Sequence, residues 1–496
     1  MEREFLSRIR NPRLRSRVKT PQEAACLITD GMHVGTSGFT PSGYPKAVPL
    51  ALTERVKKGE RVRLTVGTGA SVGPELDETW SSFDIIRRRY PYQTAKTVNR
   101  LINEGRIAFT DIHLSQVART VRSGILKPVD LAIVEAVAIT EEGGIVPSTS
   151  VGSAPVFVAE AKGIIVEINT TQPTLLEGLH DIYPPSPLLV KEPLLIRQGN
   201  ERIGLPYIPC DPEKIVAIVH SQIPDSAREL GAGSETIEKI SSHLIDFLLK
   251  EFGERLPPIQ SGVGALANCV LKGMLDGPWQ TFSIWSEVIQ DAVLNLIEAN
   301  RCQFASGTSL TFSPERCRDF YSNIERYVGR IILRPVEISN HPEIIRRLNL
   351  LSMNTVLEAD IYGNANSTHL FGSRMMNGIG GSGDFSRNAG LVIMMTPSVA
   401  REGKVSCIVP QVAHVDHTEH EVHVLVTEQG VADLRGKTPR ERARAIIENC
   451  AHPLYRPQLE DYFLRALNST GGHTPILLEE ALSWHVRYLK TGSMRL

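Results

Sequence analysis

Paired cysteines are missing from this sequence. Its seven cysteines (Cys26, Cys210, Cys269, Cys302, Cys317, Cys407 and Cys450) are scattered, odd in number and never spaced C-x-x-C. That pattern excludes a disulfide framework and a thiolate zinc site, and it fits reduced thiols in a cytosolic-type compartment. Long apolar runs are missing too. None reaches the roughly 18 residues needed to cross a bilayer, and the best stretch, around Leu131–Ile139, is of strand length and carries Glu135. Nor is there an excess of one charge: Lys plus Arg (54) nearly balances Asp plus Glu (55). A nucleic-acid binder of this size would show a basic surplus. No Walker lysine or H-E-x-x-H occurs, so the chemistries tied to those motifs lack support.

What remains is a chain of 496 residues, enough for two or three domains of about 100–200 residues each. Its 42% hydrophobic and 22% charged composition is that of a globular enzyme and leaves no room for wholesale disorder. The first nineteen residues hold seven Lys/Arg. They lack an apolar h-region for secretion, and Glu2 and Glu4 argue against an acid-poor transit peptide. A basic first helix around Pro12, belonging to the mature domain, is the preferred reading. It places the protein in the cytoplasm, or in the mitochondrial matrix if the source is eukaryotic.

Short β-rich runs alternate with helical patterns along the chain. Met32–Thr36, Arg63–Val66, Leu131–Glu135 and Ile164–Ile168 read as strands, and Thr94–Asn103 reads as a helix. Continuous Val/Ile/Leu cores predict parallel strands covered on both faces. A break at Ser221–Ser234, with Pro224, Gly231 and Gly233, follows the strand Ile215–His220 and precedes a helix over Glu235–Leu249. The expected domains are therefore 1–225 and 226–496. Each is an open α/β domain with a mostly parallel sheet, and the site is expected between them, at the carboxyl ends of strands.

Four segments could carry chemistry. Thr281–Ile284 reads as a strand, and apolar residues at Ile289, Ala292, Val293, Leu296 and Ile297 predict a helix behind it, capped by Ser286. Glu287 is then expected in the first helical turn, where it serves either the helix dipole or a reaction. Gln260-Ser-Gly-Val-Gly264 is a glycine turn opening a helix with Leu266, Val270 and Met274 on its inner face; such a start can offer N–H groups to a phosphate. Gly378-Ile-Gly-Gly-Ser-Gly383 matches G-x-G-x-x-G literally, but no good strand precedes it and the acid follows at once as Asp384. An oxyanion-binding loop suits it better than a dinucleotide site. His414, Asp416, His417 and His420 are spaced so that they could meet on a metal, although a polar connection between two strands is the preferred reading.

Taken together the chain resembles the acetyl-CoA hydrolase/transferase family, and within it the succinyl-CoA:acetate and propionyl-CoA:succinate CoA-transferases. The likeness runs nearly end to end, through Val34–Phe39, Gly143–Pro147, Gln260–Gly264, Ser286–Asp291, Glu337–Pro342, Ala359–Asn364, Met376–Asp384 and Thr427–Asp433. The resemblance implies two related CoA-transferase-like α/β domains, with the second carrying the catalytic glutamate and the CoA site. It puts the family's catalytic glutamate on Glu287 and places Asn340 and Gly381 beside the reacting carbonyl. CoA would be lined by Gly262, Val263, Gly264, Ala265, Leu266, Leu357 and Gly381. Arg401 stands where a lysine is expected near the CoA phosphates, and Glu428 matches a supporting acid.

The implied reaction moves CoA between succinyl-CoA and acetate through a covalent glutamyl-CoA thioester. Propionyl-CoA:succinate transfer and acetyl-CoA hydrolysis are the alternatives. The implied partners are acyl-CoA and small carboxylates, in a homodimer, with no cofactor, no metal, no nucleic acid and no membrane.

Overall fold

The computed structural model describes residues 2–183, 192–226 and 233–495. The chain forms two compact units. One comprises Met1–Glu229, Ile284–Leu294 and Gln303–Leu348; the other comprises Leu230–Ser283, Asn295–Cys302 and Asn349–Leu496. The first boundary lies close to the expected division at 225/226, but 284–294 and 303–348 pack with the first unit, so Glu287 lies there and not in the second unit where it was expected. Gly231 of the expected break lies outside the described residues.

Main-chain pairing accounts for the placement of 303–348. The Leu310 amide donates to the Thr149 carbonyl at 2.9 Å, Val151 to Thr308 at 2.9 Å and Val336 to Gly152 at 3.0 Å. Two ion pairs reinforce this, Arg334 with Asp181 in the core and Arg122 with Glu337 at 2.8 Å. These contacts join residues far apart in sequence, and no local pattern announces them.

The first unit is built on β1 (His33–Thr36), β2 (Leu64–Gly67), β3 (Ile86–Tyr90), β4 (Ala108–Phe109), β5 (Leu131–Ile139), β6 (Ile145–Pro147), β7 (Gly163–Asn169) and β8 (Ile215–Ser221). Their order is β4-β3-β2-β1-β5-β7-β8, with β6 beside β5. Every neighbour on that path runs parallel, and only β6 is antiparallel. The expected strands are thus present. All residues of β5 and β7 are buried, and each buried Val, Ile or Leu is worth about 1.5–3 kcal/mol. Strand order reverses between β1 and β5, the topological position at which α/β sheets open a crevice.

Two glutamates lie inside this sheet, Glu135 on β5 in register with Glu167 on β7. Burial of an ionised carboxylate requires compensation, and the two find it differently. Glu167 accepts the amides of Lys46, Ala47 and Val48 at 2.8, 2.9 and 3.1 Å, filling the start of the helix Ala47–Lys57, which has no side-chain cap of its own. Glu135 meets the fully buried Lys46 ammonium at 2.5 Å, and the same ammonium meets Asp225 at 2.8 Å. One cation thus serves two acids. Burial pushes Glu135 up to about 7; Lys46 opposes the rise and the Asp225 charge adds to it. The basic opening segment also belongs to this unit, since buried Arg8 donates to the carbonyls of Val137, Asn169 and Gln172.

The second unit has parallel strands Ile259–Ser261, Leu351–Thr355, Leu391–Met395 and Val424–Thr427, followed by antiparallel Gly430–Asp433. The helix Glu235–Phe252 starts at the expected residue, capped by Ser234. Its core gathers Val392, Met394, Leu425, Ile446, Tyr455 and Trp484. No helix among the described residues is long and apolar enough to cross a membrane.

The raised Glu135 group sets a pH dependence. A folded-state pKa above the ordinary 4.5 means that its contribution is fully present below about 4.5 and is lost as pH rises through about 7. Wild-type protein should therefore lose stability relative to Glu135→Gln across that window. Urea unfolding of both proteins at several pH values checks this; a constant difference between them would contradict it.

Candidate active site

Glu287 stands outside the helix that was expected to carry it. After the strand Phe282–Trp285 the chain enters a short strand, Val288–Ile289, parallel to Ser309–Leu310, and the helix begins only at Asp291. The β-branched pair finds a strand partner, and extended pairing displaces the first turn of the periodic helix. Ile289 is consequently a strand residue, Ser286 is not the cap, and Glu287 lies outside the first helical turn. Ala292, Val293, Leu296 and Ile297 are buried on the helix as anticipated.

The Glu287 backbone is held firmly. Its carbonyl accepts the amides of Thr308 at 2.7 Å and Ser309 at 3.1 Å. A Cβ on Gly307 would sit 3.1 Å from that oxygen and 3.1 Å from the Ile289 side chain, so this close approach favours glycine. Ser309 Oγ in turn donates to the Phe39 carbonyl at 2.8 Å. The Val34–Phe39 motif thereby reaches the strand that positions Glu287.

The half-buried Glu287 side chain meets one of the residues singled out with it. Asn340 Nδ2 donates to Glu287 Oε1 at 2.6 Å. Asn340 is fully buried, and its Oδ1 accepts from Ser339 Oγ at 2.8 Å, which fixes the amide with its nitrogen toward the carboxylate. The Ser339 carbonyl accepts the Trp285 indole N–H at 2.7 Å. The residues flanking the carboxylate and its donor are therefore tied to each other. Such an arrangement presents a carboxylate oxygen together with a fixed, water-shielded N–H, the pair of groups that carbonyl chemistry requires.

The remaining expected residues belong to the second unit. Gly264, at φ +127°, opens the helix Ala265–Asp276, whose Leu266, Val270 and Met274 are buried as expected. The Gly262 amide donates to the Met353 carbonyl at 2.9 Å. Beneath this turn, Ser352 Oγ and Asn354 Nδ2 donate to Gln260 Oε1 at 2.7 and 3.0 Å. Leu357 is half-buried and donates its amide to Asn366 at 2.8 Å. Gly381 precedes the helix Ser382–Ser386, and the two-residue strand Arg374–Met375 upstream belongs to a small hairpin. A dinucleotide turn needs a sheet strand at that place.

Arg401 donates to the Tyr488 hydroxyl and lies over the Tyr488 and Phe371 rings at 5.3 and 5.7 Å. Burial pushes Glu428 up, but donors from the Ser398 side chain, Gln429 and the Ser398 amide hold it below the usual carboxylate range. The histidine segment points several ways. His414 faces Asp416 at 3.3 Å, His417 is buried against Ser382 and Ser386, and His420 is exposed beside Glu419. Two features escaped sequence reasoning: the Lys46–Glu135–Asp225 cluster and the contacts of His417. A glutamate inside the apolar run of β5 was the visible signal for the first.

Residues 7–220 match the acetyl-CoA hydrolase/transferase N-terminal domain, and residues 317–463 match the C-terminal domain of the same name. The chain belongs to the acetyl-CoA hydrolase/transferase family. It is 52% identical to the succinyl-CoA:acetate CoA-transferase of Clostridium kluyveri, over 98% of this chain and 92% of that protein. It is 44% identical to an acetyl-CoA hydrolase of Schizosaccharomyces pombe (99% and 98% covered) and 42% identical to the propanoyl-CoA:succinate CoA transferase of Escherichia coli (96% and 98%). RipA from Yersinia pestis shares the fold with a TM-score of 0.72 at 23% identity, covering 92% of this chain and 98% of that one. In an enzyme of this family, losing the amide held against Glu287 should impair carbonyl chemistry rather than binding. Asn340→Ala is expected to lower kcat for acyl-CoA turnover by about two to three orders of magnitude with KM little changed. Steady-state kinetics decide; a raised KM at unchanged kcat would place Asn340 in ground-state binding instead.

Proposed function

We propose that the protein is a CoA-transferase that moves CoA between succinyl-CoA and acetate through a thioester on Glu287. The observation that carries this reading is the Glu287 carboxylate bound to the buried Asn340 amide at 2.6 Å. The 52% identity to a succinyl-CoA:acetate CoA-transferase supports the choice of substrates.

In the proposed sequence, a Glu287 oxygen attacks the succinyl thioester carbonyl. The C–S bond breaks, leaving a succinyl-glutamyl anhydride and CoA thiolate. The thiolate attacks the glutamyl carbonyl, a C–O bond breaks, and succinate departs from a glutamyl-CoA thioester. Acetate then attacks that thioester to give an acetyl-glutamyl anhydride and thiolate. The thiolate takes the acetyl group and Glu287 is regenerated. Acyl energy stays covalent throughout, so no cofactor or metal is called for. Each attack builds an oxyanion, for which the Asn340 amide and the Gly381 N–H are the assigned donors, each worth about 3–4 kcal/mol. Gly262, Val263, Gly264, Ala265, Leu266, Leu357 and Arg401 are assigned to CoA, and Glu428 to a supporting role.

Hydrolysis is the second reading, favoured by the 44% identity to a fungal acetyl-CoA hydrolase. It uses the same nucleophile but admits water to the intermediate. Propionyl-CoA:succinate transfer is the third, from the Escherichia coli relative.

Incubation with succinyl-CoA followed by borohydride should reduce the thioester and inactivate the enzyme, with the change mapping to the peptide containing Glu287. Glu287→Gln should be inert, and full activity in that variant would sink the mechanism. Double-reciprocal plots should be parallel. Succinyl-CoA supplied with acetate, with propionate and alone should yield acetyl-CoA fastest, with little free CoA in the absence of acceptor. CoA release without acceptor at a rate comparable to transfer would establish the hydrolase.

A further inference from the structure

His417 has no solvent exposure, and its ring sits between two serines of the helix Ser382–Ser386, the helix that follows Gly381. Its Nδ1 lies 3.0 Å from Ser386 Oγ and its Nε2 lies 3.3 Å from Ser382 Oγ. Ser382 Oγ also donates to the Ile379 carbonyl at 2.8 Å. A hydroxyl has one proton. Having given it to Ile379, Ser382 can only accept from the ring, which places a hydrogen on Nε2. The contacts form a line from Ser386 through the His417 ring and Ser382 to the Ile379 carbonyl. It ends in the glycine loop itself, two residues before Gly381.

The ring has a rigid base. The His417 amide donates to the Ala365 carbonyl at 3.0 Å, and its own carbonyl accepts from the Ala365 amide at 2.8 Å. Asp416 accepts from the Ser367 amide at 2.6 Å and from Thr368 Oγ1 at 2.9 Å. A second tie comes from Arg387, just past the helix, which donates to Glu421 at 2.8 Å and to the Asp416 carbonyl at 3.4 Å. A short helix of five residues has little stability of its own. Its orientation, and with it the direction of the Gly381 N–H, is set by what it is tied to.

We infer that His417 is a positioning residue for the acyl-transfer reaction, holding the Gly381 loop in register through the two serines. This rests on the assignment of Gly381 as an oxyanion donor, and the ring itself touches no reacting atom. A misaimed donor loses most of its value, because oxyanion stabilisation depends on placement before the charge develops.

The test compares His417→Leu, which fills the space without hydrogen bonds, with His417→Gln, whose amide nitrogen can replace Nε2 as donor to Ser382. Two readouts are taken on the full-length proteins: steady-state kinetics, and hydrogen–deuterium exchange of the peptide spanning Ile379–Ser386. His417→Leu should exchange that peptide at least about tenfold faster and lower kcat about 10- to 100-fold, with KM for acyl-CoA within about threefold. His417→Gln should recover most of both. Unchanged exchange in His417→Leu overturns the positioning role whatever the activity. Faster exchange at undiminished kcat overturns its link to catalysis. If wild-type protein fails to transfer CoA at all, the proposed function falls, while the exchange measurement still decides whether His417 orders the loop.

Discussion

The contact on which the site depends is the charge-assisted hydrogen bond from the Asn340 amide to the Glu287 carboxylate at 2.6 Å. In the proposed reaction the carboxylate has to be held, yet left reactive, and a buried neutral donor suits this, since it stabilises the anion less than a cation would. The surrounding fold serves that contact. Trp285 and Ser339 tie the two flanking segments together, the amides of Thr308 and Ser309 grip the Glu287 carbonyl, and Ser309 is anchored on the turn after β1. Each support comes from a different stretch of chain, and all of them lie in one compact unit.

The same unit accommodates charge in its core at the point where strand order reverses. Glu167 is neutralised by three main-chain amides and so completes a helix. Glu135 shares Lys46 with Asp225, and Asp225 also accepts from the Gly43 amide and from Gln172. These buried groups lie next to the segment 149–152, which pairs with 308–310 behind Glu287. A polar network of this kind favours one arrangement over others, because displacement of any member strands a desolvated charge. The turns that lead up to Glu287 are thereby held to one geometry.

Much of the fold was legible because its signals are local. Short β-rich runs marked β1, β2, β5, β7 and β8, and the glycine turn before Ala265 marked a helix start with its inner face correctly placed. Glu287 and Asn340 were named from matched motifs, and the structure brings them together. The start of the helix behind Glu287 was misread because periodicity cannot see that Val288–Ile289 has a strand partner 21 residues downstream at Ser309–Leu310. The grouping of 303–348 with the first unit was missed for the same reason.

By itself the sequence determined the α/β class, the parallel strands, the absence of paired cysteines and the identity of the residues that could carry acyl chemistry. The first three follow from composition, period and side-chain type, which are properties of short stretches of chain; the last follows from motifs matched to a family. Tertiary structure decided that Glu287 stands free of its helix, that the Asn340 amide turns its nitrogen toward the carboxylate, that Lys46 answers two acids, and that His417 braces the helix behind Gly381. Each of those outcomes depends on an angle or a partner supplied by a distant segment. Hydrogen bonds and buried charges are directional and short in range, so only the folded chain could settle them.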